Sequence, residues 1–127
     1  MKLLHIDHFV LTVASIGQTV NFYRDVLGME PVTFAEGRVA LEFGAHKINL
    51  HEAGAEFQPH ARQTVPGSAD VCLIVENISD ALAHLHKKGI DVFEGPVPRT
   101  GAKGTITSIY MRDPDGNLIE LAEYDDA

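Results

Sequence analysis

The sequence predicts an α+β fold in which two βαβββ modules together form a cupped mixed sheet. Three observations carry this expectation. The strand-like segments Asp7-His8-Phe9-Val10-Leu11-Thr12-Val13 and Ala69-Asp70-Val71-Cys72-Leu73-Ile74-Val75 match at a constant offset, because 70 − 8 and 75 − 13 are both 62. Each is followed by a polar helix-start signal and an apolar run at helical spacing. Near the ends of the modules, Ile48-Asn49-Leu50 aligns with Ile119-Glu120-Leu121, since 119 − 48 and 121 − 50 are both 71.

The elements follow in order. After the first strand, Ser15 caps a helix, with Gln18 completing a capping-box pattern, and Ile16, Val20, Tyr23 and Leu27 supply its buried stripe. Asn77 is the corresponding cap in the second half, with Ile78, Leu82 and Leu85 as the stripe. Gly28 and Gly89 end the two helices. Three further strands are expected in each module: Pro31 to Phe34, Arg38 to Phe43 and Lys47 to His51, then Asp91 to Glu94, Thr105 to Arg112 and Asn117 to Glu123. Asp113-Pro114-Asp115-Gly116 is a strong tight-turn sequence between the last two. Module one thus spans about 4–52, a connection about 53–68 and module two about 69–124, within a single domain over 1–127. The segment from Gly95 to Gly104 reads as an internal loop, stiffened by Pro96 and Pro98 and hinged at Gly101 and Gly104, as expected of a gate.

A chain of 127 residues with 45% hydrophobic content can bury one sizeable core. Its net charge of −8 repels phosphate backbones and anionic lipid, so nucleic acid and membranes are poor partners and a small molecule or metal fits better. No apolar run approaches the ~20 residues of a membrane span, and Met1-Lys2-Leu3-Leu4 runs straight into strand-like sequence, so the expected compartment is the cytoplasm. Cys72 is the only cysteine; it lies in an apolar run and reads as a small buried hydrophobe.

Strand alternation places Phe9, Leu11 and Val13 under the helices, and His8, Val10 and Thr12 on the other face. Asp70, Asn49, His51, Glu120 and Ala122 share that second face. A histidine and carboxylates converging among apolar residues are costly to bury unless a cation compensates them. His8, Asp70 and Glu120 are therefore candidate ligands of a divalent metal, with Zn, Ni, Fe, Mn and Mg all compatible. His51 lies two residues past the repeat-matched position, so that a bulge would have to bring it in as a ligand; its other role is as an acid or base beside the metal. Each residue also has a purely structural reading: Asp70 as a turn cap, Glu120 as a partner of Arg112 or Lys47, His51 as a loop-lining residue.

Along essentially its whole length the sequence resembles the glyoxalase/bleomycin-resistance/dioxygenase group, the vicinal-oxygen-chelate superfamily. The carriers are Ile6-Asp7-His8, the helix end Asn21-Phe22-Tyr23-Arg24-Asp25-Val26-Leu27-Gly28-Met29, and Asp113-Pro114-Asp115-Gly116-Asn117-Leu118-Ile119-Glu120-Leu121. The stretches from Asn49 to Gly54 and from Glu94 to Gly104 look most like the subgroup of glyoxalase domain-containing protein 5 and its bacterial relatives. The resemblance implies ligands on the first and last strand of each module, here His8, Asp70, Asn49 or His51, and Glu120. The chain departs from the pattern in two places. Glyoxalase I enzymes and fosfomycin-resistance transferases carry a histidine where this chain has Asp70, and glyoxalase I carries a glutamate where it has Asn49. Extradiol dioxygenases also expect a second histidine at the Asp70 position, which is unmet unless His51 substitutes.

What the resemblance implies is a metal-dependent lyase or isomerase of glyoxalase type, acting on a small substrate chelated through neighbouring oxygens. Glu120 or His51 would move the proton, and Arg99, Lys103 and Tyr110 would hold the substrate. An extradiol-type dioxygenase and a non-catalytic small-molecule-binding protein are the alternatives. Family members commonly pair modules across chains, and a lone four-stranded module leaves sheet edges open, so a homodimer is expected.

Overall fold

Both helices begin at the expected caps. In this computed structural model, which describes residues 1–125, α1 (Ile16–Asp25) starts at Ser15, whose Oγ accepts the Gln18 N–H at 3.2 Å. In the second half α2 (Ile78–Lys87) starts at Asn77, whose Oδ1 accepts the Asp80 N–H at 2.8 Å. Each side chain thereby satisfies a backbone donor that has no partner within the helix. Gly89, at φ +74°, ends the second helix with two closing bonds, from its own N–H to His86 O and from Ile90 N–H to Leu85 O. That left-handed turn is costly for any residue with a Cβ.

Module one contains β1 (Phe9–Val13), β2 (Glu30–Phe34), β3 (Arg38–Phe43) and β4 (His46–Glu52), in the sheet order β1-β4-β3-β2. Module two contains β5 (Asp70–Ile74), β6 (Glu94–Gly101), β7 (Gly104–Arg112) and β8 (Leu118–Tyr124), in the order β5-β8-β7-β6. The first and last strands of each module pair in parallel and the remaining pairs are antiparallel. The two sequence offsets meet in this pairing. Phe9 lies opposite Ile48, and Val71 opposite Ile119, because 9 + 62 = 71 and 48 + 71 = 119.

The chain forms two compact units, one over Met1–Gly67 and one from Ser68 onward. In the first, α1 packs on its sheet over Leu11, Val13, Tyr23, Leu41, Ile48 and Leu50, all buried. In the second, α2 covers β7 and β8 over Leu85, Ile109, Met111, Ile119 and Leu121. No helix among the described residues is long and apolar enough to cross a membrane.

The Gly95–Gly104 segment is a correction. It is not a gate loop: Glu94–Gly101 is a strand, joined to β7 by a tight hairpin at Ala102-Lys103, and Asp91 to Phe93 precede it as irregular chain. Pro96 and Pro98 read as strand breakers, yet β6 is the outer strand of its sheet, where a missing N–H on the open side costs little. A register shift between Glu94 and Val97 absorbs Gly95-Pro96. Gly95, at φ +102°, runs so close to β7 that a Cβ there would lie 2.3 Å from the Ser108 carbonyl oxygen.

Candidate functional site

On the face of module two away from α2, strand register sets side chains in rows. Cys72, Glu120, Tyr110 and Glu94 lie opposite one another across β5, β8, β7 and β6; the neighbouring row holds Ile74, Ala122, Ser108 and Val97. The Ser108 hydroxyl, on a fully buried residue, donates to Glu120 Oε2 at 2.6 Å. The Tyr110 hydroxyl oxygen, across from Glu120, accepts from Arg99 Nε at 3.0 Å. Arg99 in turn donates to Glu94 Oε2 at 2.7 Å and to Pro98 O at 2.9 Å. Burial, reinforced by the Glu120 charge, raises the Tyr110 pKa and keeps it a protonated donor.

Cys72 differs from the expectation of a buried hydrophobe: it is exposed, on the same face as Asp70. Desolvation, then the Glu120 charge, push its thiol up to about 11, so it stays protonated and is a poor nucleophile. Asp70 is the exposed first residue of β5. The three expected substrate contacts divide. Arg99 and Tyr110 form one bonded pair beside Glu120, whereas Lys103 sits in the β6–β7 turn, its backbone N–H donating to Tyr124 Oη at 3.1 Å.

In module one, His8 immediately precedes β1 and its side chain is 42% exposed. Its Nδ1 lies 2.7 Å from Asp7 Oδ2. An ionised carboxylate only accepts, so Nδ1 carries the proton and Nε2 is the nitrogen left for a ligand. The His8 bond, the largest influence, lowers the Asp7 pKa.

Asn49 and His51 project from β4 on the face away from α1, opposite Val10 and Thr12 of β1. That register runs unbroken from Phe9–Ile48 to Val13–Glu52, so no bulge shifts His51 into the Asn49 row. His51 is nevertheless 6% exposed, because Phe57 from the connection packs its ring edge-on against the imidazole at 5.4 Å, with the Arg38 guanidinium 4.2 Å over the Phe57 ring. Both His51 Nδ1 and Asn49 Oδ1 are buried without a hydrogen-bond partner. Burial, then the Arg38 and His60 charges, lower the His51 pKa and favour its neutral form. Among the described residues, no three His, Cys, Asp or Glu side chains come together to hold a metal ion.

Sequence reasoning did not single out Asp7 as the partner of His8, Cys72 as a neighbour of Glu120, or Ser108 as its hydrogen-bond donor. The signal for Ser108 is its even spacing from Tyr110 and Arg112, counted back across the Asp113–Gly116 turn to Glu120.

A family model described as Glyoxalase/Bleomycin resistance protein/Dioxygenase superfamily matches residues 5–121. The chain is 55% identical over 120 residues to Virulence protein STM3117 of Salmonella typhimurium, covering 94% of this chain and 83% of that protein. It is 54% identical over 123 residues to Glyoxalase domain-containing protein RDO1 of Mycosarcoma maydis, covering 96% and 69%. It is 29% identical over 136 residues to Lactoylglutathione lyase of Escherichia coli O157:H7, covering 100% and 96%. The crystal structure of STM3117 superposes with a TM-score of 0.96, covering 98% of this chain and 99% of that one.

Proposed function

Because the chain belongs to the glyoxalase/bleomycin resistance protein/dioxygenase superfamily, we propose that it is a metal-dependent lyase or isomerase of glyoxalase type, acting as a homodimer on a small substrate with two neighbouring oxygens. The observation that carries this reading is the Glu120 carboxylate, which is tethered at one oxygen by Ser108 and has no basic side chain as a direct hydrogen-bond partner among the described residues. The family's spread supports it: a lactoylglutathione lyase matches this chain over its full length.

The donor types suit a divalent cation, although no three such side chains come together among the described residues. His8 presents Nε2 with its other nitrogen already bonded to Asp7, the arrangement that orients a metal-bound imidazole. Glu120 would supply a carboxylate oxygen, and the third donor would be either Asp70 or His51, whose buried Nδ1 lacks a partner. A bound divalent ion would supply an electrophile that takes up charge developing on an enolate or alkoxide oxygen. The chain's own groups do the rest. Whichever of His51, held neutral by burial, and Glu120 is free of the metal would accept the proton beside the substrate carbonyl. Arg99 and Lys103 hold an anionic tail, and Tyr110 donates a hydrogen bond.

A second reading has an observation of its own. The orphaned His51 Nδ1 would allow His8, His51 and Glu120 to form the two-histidine, one-carboxylate set of an oxygen-using iron centre. The ligand charge favours the first reading: with His8, Asp70 and Glu120, two carboxylates neutralise a divalent, redox-silent ion. Apoprotein reconstituted separately with Fe(II), Zn(II), Ni(II) and Mn(II), screened against hemithioacetals, 2-oxo acids and catechols, separates the two. Turnover without oxygen uptake in the zinc, nickel or manganese form supports a lyase or isomerase. Ring cleavage with oxygen consumption in the iron form alone supports the dioxygenase, and ligand binding without turnover in any form supports a sequestering protein.

A further inference from the structure

We propose that the face of module one away from α1 binds a small organic carboxylate that also carries hydroxyl groups, with Arg38 and Lys47 holding the anion and Asn49 and His51 receiving the hydroxyls. The site goes beyond the function given above: it uses neither His8 nor Glu120 and requires no metal. Strand register sets its floor. Asn49 lies between Val10 on β1 and Ala40 on β3, with Val32 on β2 beyond, so one polar residue stands in an apolar row. In the neighbouring row Thr12 lies opposite His51, and Arg38 opposite Phe34. Asn49 Oδ1 and His51 Nδ1 are both buried, and neither is hydrogen-bonded among the described residues. A buried polar atom left without a partner carries its full desolvation cost, so these two call for partners from outside the chain. Oδ1 only accepts, and Nδ1 accepts when the ring proton is on Nε2, so the missing partners are donors. Two residues along a strand separate them by roughly 7 Å at the backbone, a span that two neighbouring hydroxyls bridge with hydrogen bonds of about 2.8 Å each.

The charge on this face is unmet as well. Lys47 lies opposite Glu42 in register, yet its ammonium leans away to sit 3.6 Å from the centre of the Phe34 ring. The Arg38 guanidinium lies 4.2 Å over Phe57, the ring packed against His51. Because Phe34 is the register partner of Arg38, both cations gather at one end of the face. Neither is ion-paired with a carboxylate among the described residues. In a chain where 18 acidic residues outnumber 10 basic ones, two neighbouring cations without a carboxylate mark a place for an anion from outside. An aromatic ring covers the face of a guanidinium and leaves its edge of N–H donors open, so Arg38 can grip a carboxylate with the stack intact. Val10, Ala40 and Val32 then receive the carbon skeleton.

The test is an NMR titration of isotope-labelled protein with D-glycerate, which joins a carboxylate to two hydroxyls, against propionate, which lacks the hydroxyls, and glycerol, which lacks the charge. It is run on protein as purified and again after passage over chelating resin, so that this site and the metal reading fail separately. The expected result in both preparations is saturable glycerate binding that shifts the Asn49 side-chain amide and the His51 ring, about 10-fold tighter than propionate or glycerol. Arg38→Gln and Lys47→Met should each weaken glycerate about 10-fold, and Asn49→Leu should reduce it to the affinity of propionate. Amide spectra check the fold of each variant, and Arg38→Lys, which keeps the charge without the fork, should bind with intermediate affinity. No saturable shift on this face, or glycerate affinity unchanged in both Arg38→Gln and Lys47→Met, would overturn the site. Glycerate bound no more tightly than propionate would overturn the role given to Asn49 and His51. Binding seen only before the resin would overturn the metal-free site in favour of chelation by a metal.

Discussion

Asp113 and Asn117 clasp each other across the turn between β7 and β8. Asp113 Oδ1 accepts the Asn117 N–H at 2.9 Å, and Asp113 Oδ2 accepts from Asn117 Nδ2 at 2.8 Å. Both residues are buried, and Asn117 Oδ1 also accepts the Ala69 N–H at 2.8 Å, tying the start of β5 to the turn that precedes β8. Two residues of the sequence's strongest family signature thus hold the second module together, several residues ahead of Glu120.

Replacing Asn117 by Ala therefore costs stability. The change leaves the Ala69 N–H without its acceptor and removes the donor from Asp113 Oδ2, a loss of about 3 kcal/mol. Urea unfolding of the metal-free protein checks this, and an unchanged midpoint would show that the clasp contributes nothing net.

A core change in the first module is expected to cost more. Leu50 is buried beneath α1, and Leu50→Ala should lose about 2–5 kcal/mol through lost burial and the cavity left behind. The same unfolding experiment measures it, and a cost below about 1 kcal/mol would mean that the site collapses around the smaller side chain.

The connection after β4 carries a pH dependence of its own. Glu56 accepts from the Gly54 N–H at 3.2 Å and from Thr64 Oγ1 at 2.9 Å. Backbone hydrogen bonds to its own N–H and to Gly54, then the Thr64 bond, lower its pKa from the usual 4.5. A carboxylate with a depressed folded-state pKa stabilises the fold above its unfolded value and loses that contribution as pH falls through the folded one. The Glu56 carboxyl should titrate below 4.5 by carbon-13 NMR, and Thr64→Val should move its midpoint upward. A midpoint at or above 4.5 in the wild type would refute the local network.

Sheet edges bear on the expected homodimer. β1 and β2 are the outer strands of the first sheet, β5 and β6 of the second, and Leu3, Leu4 and Ile6 ahead of β1 are 86%, 78% and 74% exposed. Open edges and exposed apolar side chains are what a partner chain covers. Sedimentation velocity at micromolar concentration should show a dimer, and a monomer alone would count against it.

Much of this architecture was legible in the sequence, because the repeat offsets encode pairing register directly: Phe9 with Ile48 and Val71 with Ile119 follow from them. The same alternation placed Asn49, His51 and Glu120 on the face away from the helices. Cys72 shows where the reasoning stopped short. Its even spacing from Asp70 puts it on the open face, yet its apolar neighbours suggested burial, and side-chain chemistry outweighed parity. β6 was missed because the two prolines argue against a strand except at a sheet edge, and edge position depends on the whole sheet order. The burial of His51 was invisible for a different reason: it is made by Phe57, a residue of the irregular connection whose path no periodicity records.

The most direct test of the account is the metal content of wild type, His8→Ala and Glu120→Ala, purified without chelator or nickel resin and then dialysed against limiting Zn(II). One divalent ion per site in wild type, and substoichiometric metal in both variants with their folds intact by circular dichroism, is the predicted result. Equal metal content in all three proteins would contradict the assignment of His8 and Glu120 as ligands.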